Sequence, residues 1–273
     1  MKTTGKEIRL GRFIPAGQNV VITALDHGAQ MGAIPGVVDL PQAVEKIAYS
    51  DGILVTPEVI PDLRHVFAAK KAPTLLVRVT WTTAYCFEWK YNEGHTTQVI
   101  PVEKAFSRGA DIVTACCVLQ SGCQQVDRDN IRIFSDIAGQ ADECGVPLLG
   151  EAYPLGADFM PQKKLHKLIA ASCRILWEMG ADIIKTFYTG PDFAEIAESV
   201  KVPIVVLGAA KRNELSALQM AESAIAAGAR GVAFGRNVFQ AADPSAFLRG
   251  LKDVVNKKAG AKEAALKYKL GKT

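Results

Sequence analysis

A single (β/α)8 TIM barrel is the α/β fold that this 273-residue chain predicts, and three observations predict it. Eight short apolar runs rich in β-branched residues alternate with helix-like segments. Each unit takes roughly thirty residues, the alternation expected of parallel strands joined by crossover helices. The length suits a barrel of eight such units better than an open, doubly wound sheet. No Gly-x-Gly-x-x-Gly follows the first strand, which removes the main reason to expect a dinucleotide fold. No linker divides the chain, so one domain is expected over residues 1–273, with 1–17 as an N-terminal cap and 258–273 as a basic C-terminal tail.

Taken in order, Val20–Leu25 is the first strand and runs directly into Asp26-His27-Gly28. Gln30–Leu40, with its glycines and prolines, is expected to be a loop, and Pro41–Ser50 a helix with proline in its first turn. Gly52–Val55 is a strand, followed by a helix near Pro61–Lys70, and Thr74–Val79 is the third strand. The connection Trp81–Thr97 is long and aromatic, with Trp81, Tyr85, Trp89 and His95, and is expected to shape the mouth or a subunit contact. Val102–Arg108 is a helix, Ile112–Cys116 a strand, and Asp127–Cys144 an amphipathic helix closed by Gly145. Pro147–Leu149 is a strand leading to Glu151 and Tyr153, and Lys163–Met179 a helix ending at Gly180. Ile183–Lys185, Ile204–Leu207 and Gly231–Phe234 complete the strands, with helices at Pro191–Ser199, Glu214–Ala227 and Pro244–Lys257 and a last one in the lysine-rich tail.

Composition narrows the function. At 49% hydrophobic and 22% charged residues the chain reads as a soluble globular protein. A formal charge of +4 argues against a dedicated nucleic-acid binder but suits an anionic small-molecule substrate. None of the six cysteines forms a Cys-x-x-Cys pair and no histidine cluster accompanies them, so no metal site or other cofactor is expected. Met1–Gly17 lacks the apolar core of a signal peptide and no run approaches a membrane span, so a reduced cytoplasm, with no membrane partner, is the expected setting.

In a barrel the chemistry gathers at the C-terminal ends of the strands. Those positions hold Asp26 and His27 after the first strand, Glu151 and Tyr153 after the fifth, and Lys185 at the end of the sixth. Gly208 and Lys211 follow the seventh strand, and Gly235 and Arg236 the eighth. Each has an ordinary alternative. Lys185 could reach solvent or pair with a carboxylate. Asp26 could cap a turn, His27 could be a structural hydrogen-bonding residue, Tyr153 could pack its ring against the rim, and Gly235-Arg236-Asn237 could be a plain tight turn. Read together, they are coherent. A buried lysine at a strand end is costly when charged and is a nucleophile toward carbonyls when neutral. Glycine-bearing loops after the last two strands are where barrels hold phosphate, with Lys211 and Arg236 as charge partners. The set suggests chemistry on a sugar or keto phosphate, with His27 and Glu151 expected among the residues that contact it.

From about Val20 to Val255 the residues resemble the archaeal-type class I fructose-bisphosphate aldolases, a broad group that also includes 2-amino-3,7-dideoxy-heptulosonate synthase and the autoinducer-2 thiolase. The resemblance is carried by Leu25-Asp26-His27-Gly28, Ala152-Tyr153-Pro154, Gly180-Ala181-Asp182-Ile183-Ile184-Lys185-Thr186 and Gly228–Gln240. It implies a TIM barrel, a metal-free Schiff-base mechanism and a ring-based homo-oligomer, commonly a decamer. It places the Schiff base on Lys185, general acid–base work on Tyr153, proton transfers during carbinolamine formation on Asp26, and the phosphate on the backbone of Gly208, Gly235 and Arg236. Two motifs depart from the group. Glu151-Ala152-Tyr153-Pro154-Leu155-Gly156 stands where Trp-x-Tyr-Pro-Arg-Gly is common, and Gly208-Ala209-Ala210-Lys211 where Gly-Gly-Pro-Lys is usual. Both leave the lysine, tyrosine and aspartate in place and change the surroundings of the substrate.

The resemblance therefore implies a class I aldolase that cleaves or forms a phosphorylated ketose, with dihydroxyacetone phosphate as the ketone product. One alternative keeps the lysine but transfers the carbon fragment to another acceptor, as the heptulosonate synthase and the thiolase do. Another, of a different class, is a sugar-phosphate-binding protein without catalysis, which predicts ligand binding but no borohydride trapping.

Overall fold

The structure, a computed structural model, describes residues 3–89, 91–157 and 160–271. The outermost residues of the expected cap and tail, 1–2 and 272–273, lie outside the described residues. Eight parallel strands close into a barrel: β1 (Val20–Ala24), β2 (Gly52–Val55), β3 (Thr74–Arg78), β4 (Ile112–Cys117), β5 (Leu148–Ala152), β6 (Ile183–Thr186), β7 (Ile204–Leu207) and β8 (Gly231–Phe234). Closure is made by β8 against β1, with Val20 opposite Gly231 and Thr23 opposite Phe234. The strands match those read from the sequence to within a few residues at the ends. β5 is the largest departure: it runs on to Ala152, so Glu151 is inside the strand rather than beyond it.

Side chains alternate between two cores. Ile22, Leu54, Leu76, Ile112, Leu149 and Ile183 belong to an apolar cluster inside the barrel. Their neighbours, such as Val21, Ile53, Val77 and Ile184, belong to the larger core beneath the helices. The N-terminal cap is a helix, Thr4–Phe13, and its end plugs the floor of the barrel: Phe13 joins the interior cluster, with Leu10 and Ile14 packed against it. Lys6 on this helix is buried and paired with Asp182, 2.9 Å away at the entry to β6, and with Asp142. The tail forms a short helix, Ala261–Lys267, whose alanines are buried.

Two connections differ from expectation. The start of the region read as a loop after His27 is a helical turn, Gly28–Met31, which carries Gln30 inward. The aromatic connection begins and ends as a two-stranded antiparallel ribbon, Thr80–Thr82 with Thr96–Gln98. Between these strands Phe87, Trp89 and Tyr91 are exposed. Among the described residues no helix is long and apolar enough to cross a membrane.

Candidate active site

The inner alternation positions the site. Two residues beyond the apolar layer, the same pleat that buries Ile183, Leu149, Leu76 and Ala24 carries Lys185, Glu151, Arg78 and Asp26 into the barrel mouth. Lys185 and Glu151 are direct cross-strand partners on β6 and β5. The Lys185 Nζ lies 2.7 Å from Glu151 Oε1. The other oxygen, Oε2, accepts from Arg78 Nη2 at 2.8 Å, and Arg78 Nε donates to Asp26 Oδ2 at 2.6 Å. All four side chains are buried. Two carboxylates and two cations thus compensate one another in a continuous chain across the mouth, which is what makes their burial tolerable.

Electrostatics follow from that chain. Burial alone would raise the Asp26 carboxyl, but Arg78, then Lys185 and His27, pull it down to about 2. Burial opposes ionisation of Glu151 as well, and Lys185 and Arg78 overcome it, so its carboxyl also lies below the usual range. The His27 ring packs edge-on against Phe239 with centroids 5.2 Å apart, and burial, reinforced by the cations Lys185, Arg236 and Arg78, lowers its pKa to about 4 despite Asp26. It is therefore neutral at physiological pH.

At the β7–β8 corner both glycines are required by tight packing against neighbouring side chains. A Cβ on Gly208 would sit 2.9 Å from Asn237 Nδ2, and one on Gly235 would collide with the His27 ring. Asn237 is buried and clamps the loop: its Nδ2 donates to the carbonyls of Gly208 at 2.9 Å and Ala210 at 3.2 Å, and its Oδ1 accepts from the Arg212 amide at 2.8 Å. Arg236 Nη2 donates to the Ala209 carbonyl at 3.1 Å, and its guanidinium lies 5.9 Å from the centre of the Phe87 ring.

Asp26, His27, Glu151, Tyr153, Lys185, Gly208, Gly235 and Arg236 line one cleft, so of the residues singled out from sequence only Lys211 stands apart, exposed on its loop. Glu151, expected to touch substrate, has an oxygen each on Lys185 and Arg78. Tyr153 lies between Tyr85, 4.7 Å away between centroids, and Phe187, at 5.1 Å. Sequence reasoning missed Arg78 and Gln30 and gave Asn237 only as part of a tight turn, whereas Tyr85 belongs to the aromatic connection expected to shape the mouth and does line it. For Arg78 a signal existed: it follows the inward Leu76 by two residues, as Lys185 follows Ile183. Tyr85 completes the wall, its hydroxyl 3.1 Å from Cys116 Sγ, where burial pushes that thiol up to about 12 and keeps it protonated.

With this geometry in view, relatives can be compared. The chain is 31% identical over 266 residues to an uncharacterized aldolase of Saccharolobus solfataricus, covering 95% of this chain and 97% of that one. It is 30% identical over 270 residues to the 2-amino-3,7-dideoxy-D-threo-hept-6-ulosonate synthase of Halobacterium salinarum, covering 97% of both. Its fold matches the crystal structure of an archaeal fructose 1,6-bisphosphate aldolase with a TM-score of 0.79 and 26% identity, over 93% of this chain and 100% of that one. A structure of an archaeal aldolase of the same name, with the catalytic lysine covalently bound to the carbinolamine intermediate, matches at 0.78 and 25%, with the same coverage. Residues 20–241 match the DeoC/LacD family aldolase model. The chain belongs to the DeoC/LacD family of aldolases.

Proposed function

We propose that this aldolase is of class I and works through a Schiff base on Lys185, cleaving or forming a phosphorylated ketose with dihydroxyacetone phosphate as the ketone half. The observation that carries the reading is the Lys185 amine, 6% exposed, at the C-terminal end of β6 with Glu151 Oε1 2.7 Å away. The neutral amine attacks the ketone, and Glu151 Oε1, 2.7 Å from Nζ, orients it. Attack gives a carbinolamine, and loss of water leaves an iminium ion, the electron sink for carbon–carbon cleavage. Tyr153 takes the proton from the hydroxyl of the departing aldehyde and returns it to the enamine carbon. The developing iminium charge favours the phenolate. Asp26 Oδ2 is held by Arg78, and we assign Oδ1 to the proton transfers of the carbinolamine step. The phosphate of the ketone half is assigned to the Gly208 and Gly235 backbone with Arg236, which line the same cleft as Lys185.

Borohydride reduction with dihydroxyacetone phosphate, followed by peptide mass spectrometry, tests this. A reduced adduct on Lys185 that is lost in Lys185→Met supports it. A folded protein with no adduct rejects it. A second reading, transfer of the fragment to another acceptor, is favoured by the near full-length relation to the heptulosonate synthase. It shares the adduct, and a panel of aldehydes and coenzyme A separates the two by the acceptor consumed.

A further inference from the structure

Among the described residues, the buried side-chain polar atoms without a hydrogen-bond partner are His27 Nδ1, Gln30 Nε2, Arg78 Nη1, Thr96 Oγ1, Thr114 Oγ1 and Arg236 Nε. Four of these six belong to residues that line the one cleft. A buried donor without an acceptor is unfavourable, so donors gathered in one cavity point to acceptors that a ligand brings. Arg236 Nε belongs to the corner already assigned to phosphate. Gln30 follows β1 on a turn that leans toward β3 through the Trp81–Ala29 hydrogen bond, and Arg78 ends β3. Gln30 has no role in the lysine chemistry as described, and Arg78, which holds Asp26 and Glu151 through Nε and Nη2, keeps Nη1 in reserve.

We infer that Gln30 is a specificity-determining residue which, with Arg78, donates hydrogen bonds to a hydroxyl or carbonyl oxygen on the uncharged half of the substrate; the inference rests on the Schiff-base reading of this cleft. Gln30 is 4% exposed, on the helical turn Gly28–Met31. That turn is pinned from outside by Trp81, whose Nε1 donates to the Ala29 carbonyl at 2.9 Å. Its amide carries no charge. Arg78 is formally cationic, but its charge is already matched by Asp26 at 2.6 Å and Glu151 at 2.8 Å. What the two side chains offer a ligand is direction without net charge. That suits a neutral oxygen. A second phosphate on this side would find no unmatched positive charge, because both cations, Arg78 and Lys185, are already paired with the carboxylates of Asp26 and Glu151. With the ketone phosphate at Gly208 and Gly235, the aldehyde half extends toward Gln30 and Arg78. The structure thus assigns as substrate class a ketose phosphate whose aldehyde half is hydroxylated and uncharged.

The test is aldol addition of glyceraldehyde, propanal or glyceraldehyde 3-phosphate to dihydroxyacetone phosphate, for the wild type and Gln30→Met, which keeps the length of the side chain without its donor. The wild type should favour glyceraldehyde over both other aldehydes. In Gln30→Met, kcat/KM for glyceraldehyde should fall about tenfold while propanal stays within about twofold, the effect of one lost hydrogen bond. Borohydride trapping of dihydroxyacetone phosphate on Lys185 should be unchanged, which shows that the fold and the first half-reaction are intact. An equal fall for glyceraldehyde and propanal, no fall, or a wild type faster with glyceraldehyde 3-phosphate overturns the inference. Absence of trapping in the wild type overturns the Schiff-base reading itself. If Gln30→Met does not fold, Gln30→Leu, uncharged and likewise without the donor, must show the same selective loss.

Discussion

Acidification from neutrality to pH 5 should cost this protein about 2 kcal/mol of folding free energy through His27 alone. In the fold the ring has a pKa of about 4, against an ordinary value of 6.5, because it is buried and faces Lys185, Arg236 and Arg78, with only Asp26 favouring its charge. In the unfolded chain it titrates at the ordinary value. Below that value the unfolded state takes up a proton that the folded state refuses, so the stabilisation is complete above pH 6.5 and is lost as pH falls toward 4. The full loss is about 3 kcal/mol, of which about 2 kcal/mol has gone by pH 5. Urea unfolding of the wild type and His27→Asn at pH 7.5 and 5.0 isolates the ring, since every other titrating group is common to both chains. The wild type should lose about 2 kcal/mol more than the variant. Equal losses, or a His27 imidazole resonance that titrates near 6.5, would refute the argument. If the corner holds phosphate as proposed, a neutral His27 would add no positive charge there, and Arg236 would be the cation that faces it.

Two further outcomes test how the barrel holds its site. Lys6→Met should destabilise the protein by about 3 kcal/mol, the low end for breaking a buried ion pair, because Asp182 keeps its bond from the Leu148 amide. For a chain of this size that lowers Tm by about 5 °C, measurable by calorimetry, and an unchanged Tm would show that the floor helix does not depend on this pair. Asn237→Ala removes the three hydrogen bonds that hold Gly208, Ala210 and Arg212. KM for a phosphorylated substrate should rise about tenfold while Lys185 is still trapped at saturating substrate, and an unchanged KM would exclude the clamp.

Most strands were legible as short apolar runs rich in β-branched residues, the pattern of strands buried on both faces, whereas Leu148–Ala152, which has none, was legible only in part. Helix ends were legible where a chemical stop marks them: Gly145 adopts a left-handed conformation at φ 62° and closes its helix as its sequence position suggests. The floor helix was less visible. Thr4–Phe13 has a polar face interrupted by glycines, and it is held by the fit of Phe13 into the barrel and of Lys6 against Asp182. Gln30 was hidden for a related reason, since a four-residue helical turn, Gly28–Met31, has no periodicity to read.

What the sequence determined by itself was the barrel, the lysine at the end of its sixth strand and the glycine loops after the last two. Each follows from local physics: alternation along a strand, the cost of a buried cation, the backbone freedom of glycine. The partners of those residues were decided only in the tertiary structure. Asp26 and Arg78 are 52 residues apart in the chain, and Arg78 and Glu151 are 73 apart. Closure of the barrel brings their strand ends to one mouth, and low dielectric there makes each charge depend on the next. Glu151 illustrates the point. Its place in the chain put it beside the substrate, whereas the register of β5 against β6 set it on the lysine, because pairing is a property of neighbouring strands and no single strand encodes it.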